Sequence, residues 1–427
     1  MGQRIFRNTA VNPAEGTLSP ATARAIGGGR LDAARKGSGS VDFPLLLAMI
    51  AMLTFGLLMV YSASYDFSYA VYGDASAMFL RQLLWLAIGV VTAYILSRVD
   101  YHHWRALIVP AMLGTIALLV AVLAINEIRL GAARTFLSGS VQPSELAKVI
   151  TVIYLAVWLH SKQQQLHDIS WGLMPLAVIL GIIGGLIYLQ PDLSATATIF
   201  ALGGLLFFLA GGDLKQIAIL LVIALLVGFL VVQVSATGRE RLNSYFLGIK
   251  DPLQASYHVR RSLEAIVKGG WFGVGLGRSE TKHLGLPVPP TDSIFAVIAE
   301  ELGLFGALGT LILYGVILWR GLQIAKTAPD MLGSLLASGL TFWIALEAAI
   351  NMLVIVGLMP FAGNALPFIS SGGSNLTASL AAIGILMNIS RQNSPESEST
   401  PEWRNLGAIF DLRGRHGRRS LSRTGRS

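Results

Sequence analysis

The chain has 427 residues, 53% of them hydrophobic and only 13% charged, with a mean hydropathy of +0.62. A soluble domain carries about a quarter charged residues, so a soluble globular protein is excluded and a polytopic membrane protein is implied. There is no cysteine for thiol or disulfide chemistry, the seven histidines lack metal-ligand spacing, and the formal charge of +8 lies largely in the termini and one long loop, a pattern that suits anionic lipid rather than nucleic acid.

Residues 1–41 are polar, rich in Gly, Ala and Arg and without an apolar period, which predicts a disordered basic tail. The first apolar run begins too late for a signal peptide. Apolar stretches then recur near 43–64, 78–97, 105–125, 144–160, 171–190, 194–211, 215–235, 293–320, 331–357 and 367–390. Each approaches the length that crosses a bilayer, about 20 residues, so residues 42–391 are expected to form an all-α membrane domain of about ten helices. Residues 392–427 form a second, Arg-rich tail.

Lys and Arg in short loops set the orientation. Arg98 and Arg105 follow helix 2, Arg320 and Lys326 follow helix 8, and both tails are basic. An even helix count then places both tails in the cytoplasm and turns the loops of Asp66, Arg134 and Asp292 outward. The long outward segment of about 236–292, between helices 7 and 8, is itself basic, with Arg239, Arg241, Lys250, Arg260, Arg261, Lys268, Arg278 and Lys282. Long loops translocate regardless of charge. Such a surface is either a solvated loop or a site for an anionic group, and a diphosphate head group fits because Arg and Lys bind phosphate oxygens through charge-assisted hydrogen bonds. Tyr257, Leu263 and Ile266 share helical spacing, which predicts an amphipathic helix at the membrane surface. The glycine-rich run 269–277 follows, and it suits close backbone packing at least as well as phosphate binding.

Gln142-Pro143-Ser144-Glu145-Leu146-Ala147-Lys148 opens helix 4. Glu145 and Lys148 are i,i+3 and are expected to form a structural ion pair lining a cavity. Gln190-Pro191-Asp192-Leu193-Ser194 joins helices 5 and 6, with Asp192 either capping helix 6 or lining the cavity. Asn351 lies within helix 9, and a Pro/Gly-broken stretch, 357–374, leads into helix 10. Irregular backbone at membrane depth lines a cavity or is buried in protein. The Ser370 and Ser371 hydroxyls of this stretch are candidate sugar or phosphate contacts. Asp292 stands at the mouth of helix 8, where a carboxylate is costly unless it is used, although Thr291 or Asp292 could simply cap the helix.

Together Gln142–Lys148, Gln190–Leu193, Thr291-Asp292 with Glu300-Glu301-Leu302-Gly303, and Leu366–Ser374 resemble the SEDS family, which includes FtsW, RodA and SpoVE. The resemblance runs through residues 43–391 in the family's order. It implies a ten-helix peptidoglycan glycosyltransferase that polymerises lipid II outside the cytoplasmic membrane beside a class B penicillin-binding protein and other division or elongation proteins, with no nucleic-acid partner. The family's essential loop aspartate falls on Asp292. Leu358, Pro360, Gly363, Asn364 and Ala365 are more similar to FtsW than to RodA, which implies a septal role. Departures are Ser293 for an aromatic residue after the aspartate, His258 and Arg261 for two glutamines, Thr135 for a tryptophan and Ser194 for a glycine.

On this resemblance Asp292 is the expected general base for the attacking sugar hydroxyl, since partial burial raises a carboxylate's proton affinity. Arg260, Arg261, Lys268 and Lys282 are expected to hold the leaving diphosphate, alone or with a divalent cation such as Mg or Mn. Gln142, Ser144, Gln190, Ser370 and Ser371 are expected to line the sugar site. A lipid II flippase is the competing class, opposed by the large basic loop and by the few charges in the inner halves of the helices. A scaffold that only recruits an enzyme is the third.

Overall fold

In a computed structural model of the protein, the described residues are 41–125, 128–129, 132–133 and 142–392. The terminal tails and Arg134-Thr135 lie outside them. The described residues are helical apart from loops and a two-residue antiparallel pairing of Ile128-Arg129 with Ala132-Ala133.

Twelve α-helices are described: α1 Phe43–Tyr72, α2 Ala77–Arg98, α3 Trp104–Ile125, α4 Pro143–Ser161, α5 Met174–Tyr188, α6 Leu193–Leu209, α7 Leu214–Val234, α8 Ala236–Lys250, α9 Tyr257–Gly269, α10 Ile294–Thr327, α11 Met331–Ile355 and α12 Gly373–Gln392. Each of the ten expected apolar segments overlaps a helix, although the last was expected from 367 and its helix starts at Gly373. Seven spans are long and apolar enough to cross a membrane, namely α1, α2, Tyr101–Ala124, Ile169–Tyr188, α7, α10 and α11. The others are α6, which is apolar but 17 residues long, and α4 and α12, whose many buried faces carry polar groups.

The termini follow local chemistry. Asp42 caps α1 by accepting from Leu45 N at 3.0 Å, and its carboxylate also takes Arg320 Nη2 of α10 at 2.5 Å. Helix α1 runs 30 residues, further than its apolar stretch, because nothing breaks it before Gly73, which takes φ 72 as its C-cap. Asp192 caps α6 through Ala195 N at 3.1 Å, so its capping role is realised. The N-cap of α11 is Asp330, bonded to Gly333 N at 2.8 Å.

Helices α11, α12 and α4 form the centre of the bundle. Trp343, Leu336, Leu340, Leu155, Leu159, Leu380 and Leu386 are all 0% exposed. By contrast α7 shows Leu221, Val222, Leu225 and Phe229 at its surface, as a lipid-facing helix does.

The segment between α7 and α10 is a folded cap on one end of this bundle. It contains α8 and the amphipathic helix α9, and its glycine run docks on α10. Val274 N and Gly275 N donate to the carbonyls of Glu300 and Glu301, each at 3.0 Å, and Leu304 N donates to Gly270 O at 2.9 Å. These bonds are possible because α10 breaks at Gly303, where φ is 68 and ψ −162. A Cβ on Gly269 would lie 1.9 Å from Ala299 O, one on Gly273 2.2 Å from Glu301 O, and one on Gly303 2.4 Å from Gly273 N. The run therefore serves close backbone packing at these positions, one of the two readings its sequence allowed.

Candidate functional site

Asp292 sits in a turn held from several directions. Three successive carbonyls accept hydrogen bonds: Pro290 O from Ser371 N at 2.8 Å, Thr291 O from Ser370 Oγ at 2.7 Å, and Asp292 O from Asn351 Nδ2 at 3.0 Å. Asn351 uses its second amide proton on Asn364 O at 2.5 Å. Ser370 Oγ in turn accepts from Leu366 N at 2.7 Å, and Gln82 of α2 donates to Ser370 O at 3.2 Å. The Asp292 side chain is partly buried, and a Cβ on Gly363 would stand 2.9 Å from its Oδ2. Thus Ser370 and Ser371 hold the aspartate's backbone. Pinning three successive main-chain oxygens, at residues 290–292, fixes the backbone from which the carboxylate projects, which is how a base is preorganised.

Ser293 follows at the N-cap position of α10 but makes no capping bond. Its hydroxyl donates instead to Pro287 O at 2.6 Å and lies 3.1 Å from His258 Nε2 of α9. The His258 ring packs against Phe361, with centroids 4.2 Å apart. Burial pushes His258 down to about 4, so its ring is neutral at neutral pH. Beyond Phe361 a crevice of about 250 Å³ opens between α8, α9 and the 356–361 segment, lined by Arg241, Tyr245, Val259, Leu263, Gly357 and Phe361.

The cations expected to meet diphosphate separate into two groups. Arg260, Arg261 and Lys268 lie on α9. Arg260 and Arg261 sit 5.7 and 5.5 Å from the Tyr257 ring centroid, and Arg261 pairs with Glu264 at 2.7 Å. Lys268 is 3.5 Å from Glu264 and 3.4 Å from Glu280. The hydrogen bond from Arg261 is the largest cause holding Glu264 below its usual range. Lys282 is placed differently: its side chain is 5% exposed and its ammonium donates to Glu301 Oε1 at 3.0 Å, to Ser62 O at 3.1 Å and to Gly277 O at 3.1 Å. In this arrangement Lys282 fastens the loop to α10 and α1. Glu300, 0% exposed, fastens the same loop by accepting from Ser279 Oγ at 2.5 Å, Glu280 N at 3.1 Å and both Thr281 N and Oγ1, at 3.1 and 2.9 Å.

A second polar cluster lies at the same end. Gln142 Nε2 donates to Ser144 Oγ at 2.8 Å and Asp192 Oδ2 at 3.1 Å, and Gln142 N donates to Ser374 Oγ at 3.1 Å. Below it Lys148 donates to Glu145 at 2.9 Å and also to Glu347 of α11. Asn375 Nδ2 joins the two carboxylates, at 2.8 Å to Glu145 and 3.3 Å to Glu347. Gln190 is apart from this network: it is 0% exposed and donates to Leu119 O at 3.1 Å. The segment 370–375 is the bridge, holding the Asp292 turn with Ser370 and Ser371 and the ionic cluster with Ser374 and Asn375. Sequence reasoning missed Ser62, Glu347 and Asn375. A lone carboxylate within the apolar α11 was the available signal for Glu347, since such a charge needs a partner. Nothing local marks Ser62 or Asn375.

Three groups of comparisons bear on this architecture. The family model for cell cycle proteins of the FtsW, RodA and SpoVE type matches residues 43–395. Stage V sporulation protein E of Bacillus subtilis is 38% identical over 357 residues, covering 82% of this chain and 97% of that protein. A protein named probable peptidoglycan glycosyltransferase FtsW, from Trichlorobacter lovleyi, is 38% identical over 354 residues, covering 82% and 93%. Among solved structures, a chain described under structural coordination of polymerization and crosslinking by a peptidoglycan synthase complex superposes with a TM-score of 0.69 at 26% identity, covering 84% of this chain and 99% of its own. The rod shape determining protein RodA of Thermus thermophilus superposes with a TM-score of 0.61 at 25% identity, covering 83% and 98%. With this match across the whole membrane domain, the chain belongs to the FtsW/RodA/SpoVE family of membrane proteins.

Proposed function

We propose that the protein is a peptidoglycan glycosyltransferase that polymerises lipid II at the outer face of the cytoplasmic membrane, with Asp292 as general base. The carrying observation is the turn of Asp292, whose carbonyls 290–292 are each held by the 370–371 segment or Asn351. In the reaction a sugar 4-hydroxyl attacks the anomeric carbon of a lipid diphosphate-linked sugar. The new C–O bond forms as the bond to the diphosphate oxygen breaks, with inversion for direct displacement. The hydroxyl proton passes to the Asp292 carboxylate, and the lipid diphosphate leaves with the bonding electrons.

Arg260, Arg261 and Lys268 supply positive charge for the leaving group from α9. Lys282 is the weaker candidate because its ammonium is buried against a buried Glu301, whereas the carboxylate partners of Arg261 and Lys268 are at the surface, where a diphosphate can compete for the cation. Gln142 and Ser144, beside Asp192, offer amide and hydroxyl contacts to a sugar. Among the described residues no cluster of three or more His, Asp or Glu side chains could hold a metal ion. A divalent cation such as Mg or Mn would be shared between protein carboxylate and the substrate's own diphosphate, whose charge it would help neutralise.

The relatives named FtsW, together with Leu358, Pro360, Gly363, Asn364 and Ala365, support a septal role beside a class B penicillin-binding protein. The basic tails and the short loops that carry Arg98, Arg105, Arg320 and Lys326 support cytoplasmic termini and, with an even helix count, an outward-facing site. The deciding experiment is polymerisation of labelled lipid II by the purified protein with that partner, comparing wild type with Asp292→Ala. Chains from the wild type alone support the assignment. Chains from neither, in a folded complex, move the protein to flippase or scaffold. Equal chains from both remove Asp292 as the base.

A further inference from the structure

Resting on the role proposed for Asp292, we propose that His258 is a positioning residue, which registers the Asp292 turn against the cationic helix α9 through the Ser293 hydroxyl. The argument starts from protons. Ser293 has one hydroxyl hydrogen, and at 2.6 Å it goes to Pro287 O. The oxygen is then an acceptor for the His258 ring at 3.1 Å, so Nε2 carries the ring hydrogen and Nδ1 is bare. That Nδ1 is buried without a hydrogen-bond partner. A bare buried acceptor carries a desolvation penalty that an apolar side chain in the same slot against Phe361 would avoid. What the imidazole supplies in return is its Nε2–H.

The place of that bond gives it a use. The ties to Pro290, Thr291 and Asp292 come from α11 and the 370–371 segment. The tie to Ser293 comes from α9, the helix that also carries Arg260, Arg261 and Lys268. It therefore sets the separation between the carboxylate that takes the proton and the cations that face the leaving diphosphate. Ser293 contributes because its hydroxyl is diverted from capping α10 to closing this link. A displacement of about 1 Å between such groups costs on the order of a hundredfold in rate.

The test uses the full-length protein in complex with its penicillin-binding partner and labelled lipid II. Two readouts are taken: steady-state polymerisation, and hydrogen–deuterium exchange of the peptide covering 287–296. We expect His258→Ala to lower kcat by about 10- to 100-fold, with KM changed by less than about threefold. Its exchange should accelerate across the turn. His258→Gln, whose amide can place an N–H near the Nε2 position, should return both readouts to within about threefold of wild type. Ser293→Ala should resemble His258→Ala, and the double variant should be no worse, because both remove one link. Recovery of the Gln variant separates lost position from lost fold. Wild-type turnover in His258→Ala, unchanged exchange in it, or a Gln variant as impaired as the Ala variant would each overturn the proposal. Equal polymerisation by wild type and Asp292→Ala would instead remove the base assignment, and the exchange readout would still decide whether His258 holds the turn.

Discussion

Lys282→Met tests whether this ammonium is a fastening or a substrate contact. Glu301 is 0% exposed and Lys282 Nζ stands 3.0 Å from it. At that distance and an effective dielectric of about 20, the attraction is about 5 kcal/mol before desolvation is counted. Methionine keeps the apolar stem out to Cε but removes the ammonium, and leaves the buried Glu301 carboxylate with the Ser62 hydroxyl at 2.7 Å. Removing one member of a buried pair costs about 3 to 5 kcal/mol, because the other charge is left uncompensated. The assay is SDS-titrated unfolding in mixed micelles, followed by fluorescence of the eight tryptophans. Lys282→Met should lower the midpoint clearly. Adding Glu301→Gln should recover about half of the loss, since a neutral amide no longer needs the cation. An unchanged midpoint in Lys282→Met, accompanied by a raised KM for lipid II, would refute the reasoning and place the ammonium on the substrate.

Gly303→Ala should abolish accumulation of folded protein, measured as detergent-soluble monodisperse yield, because φ 68 disfavours any Cβ and that atom would lie 2.4 Å from the backbone nitrogen of Gly273. Ser370→Ala should cost about 1 to 3 kcal/mol in the same unfolding assay by stranding Leu366 N and Thr291 O, and it should lower polymerisation more than it lowers stability. Asn375→Leu should destabilise by a similar amount, since both Glu145 and Glu347 lose a donor; a neutral result would show that Lys148 alone suffices. His258, held at about 4 in the fold against an ordinary 6.5, binds fewer protons folded than unfolded, so its contribution is complete above about 6.5 and is lost as pH falls toward 4. That shift corresponds to at most about 3 kcal/mol, and the wild type should lose stability relative to His258→Gln across that window; parallel curves would contradict it.

The residues by themselves determined the class of this protein. Runs of apolar residues long enough to cross a bilayer leave little alternative to helices, because backbone groups in lipid must bond within their own segment. Asp192 caps its helix as its position suggests, since capping is local chemistry, and Asp42 and Asp330 cap theirs in the same way. The i,i+3 spacing of Glu145 and Lys148 likewise announces a contact that one helix can make alone. Tertiary structure decided the partners that lie far apart in the chain. Glu347 joins Lys148 across 199 residues, Ser62 meets Glu301 across 239, and Ser370 holds Thr291 across 79. The same is true of Lys282, which reads in sequence as one more cation of a basic loop and is in the fold a buried counter-ion. No periodicity encodes such pairs. Each exists because a buried charge or carbonyl needs a partner, and which group supplies it depends on how the helices pack.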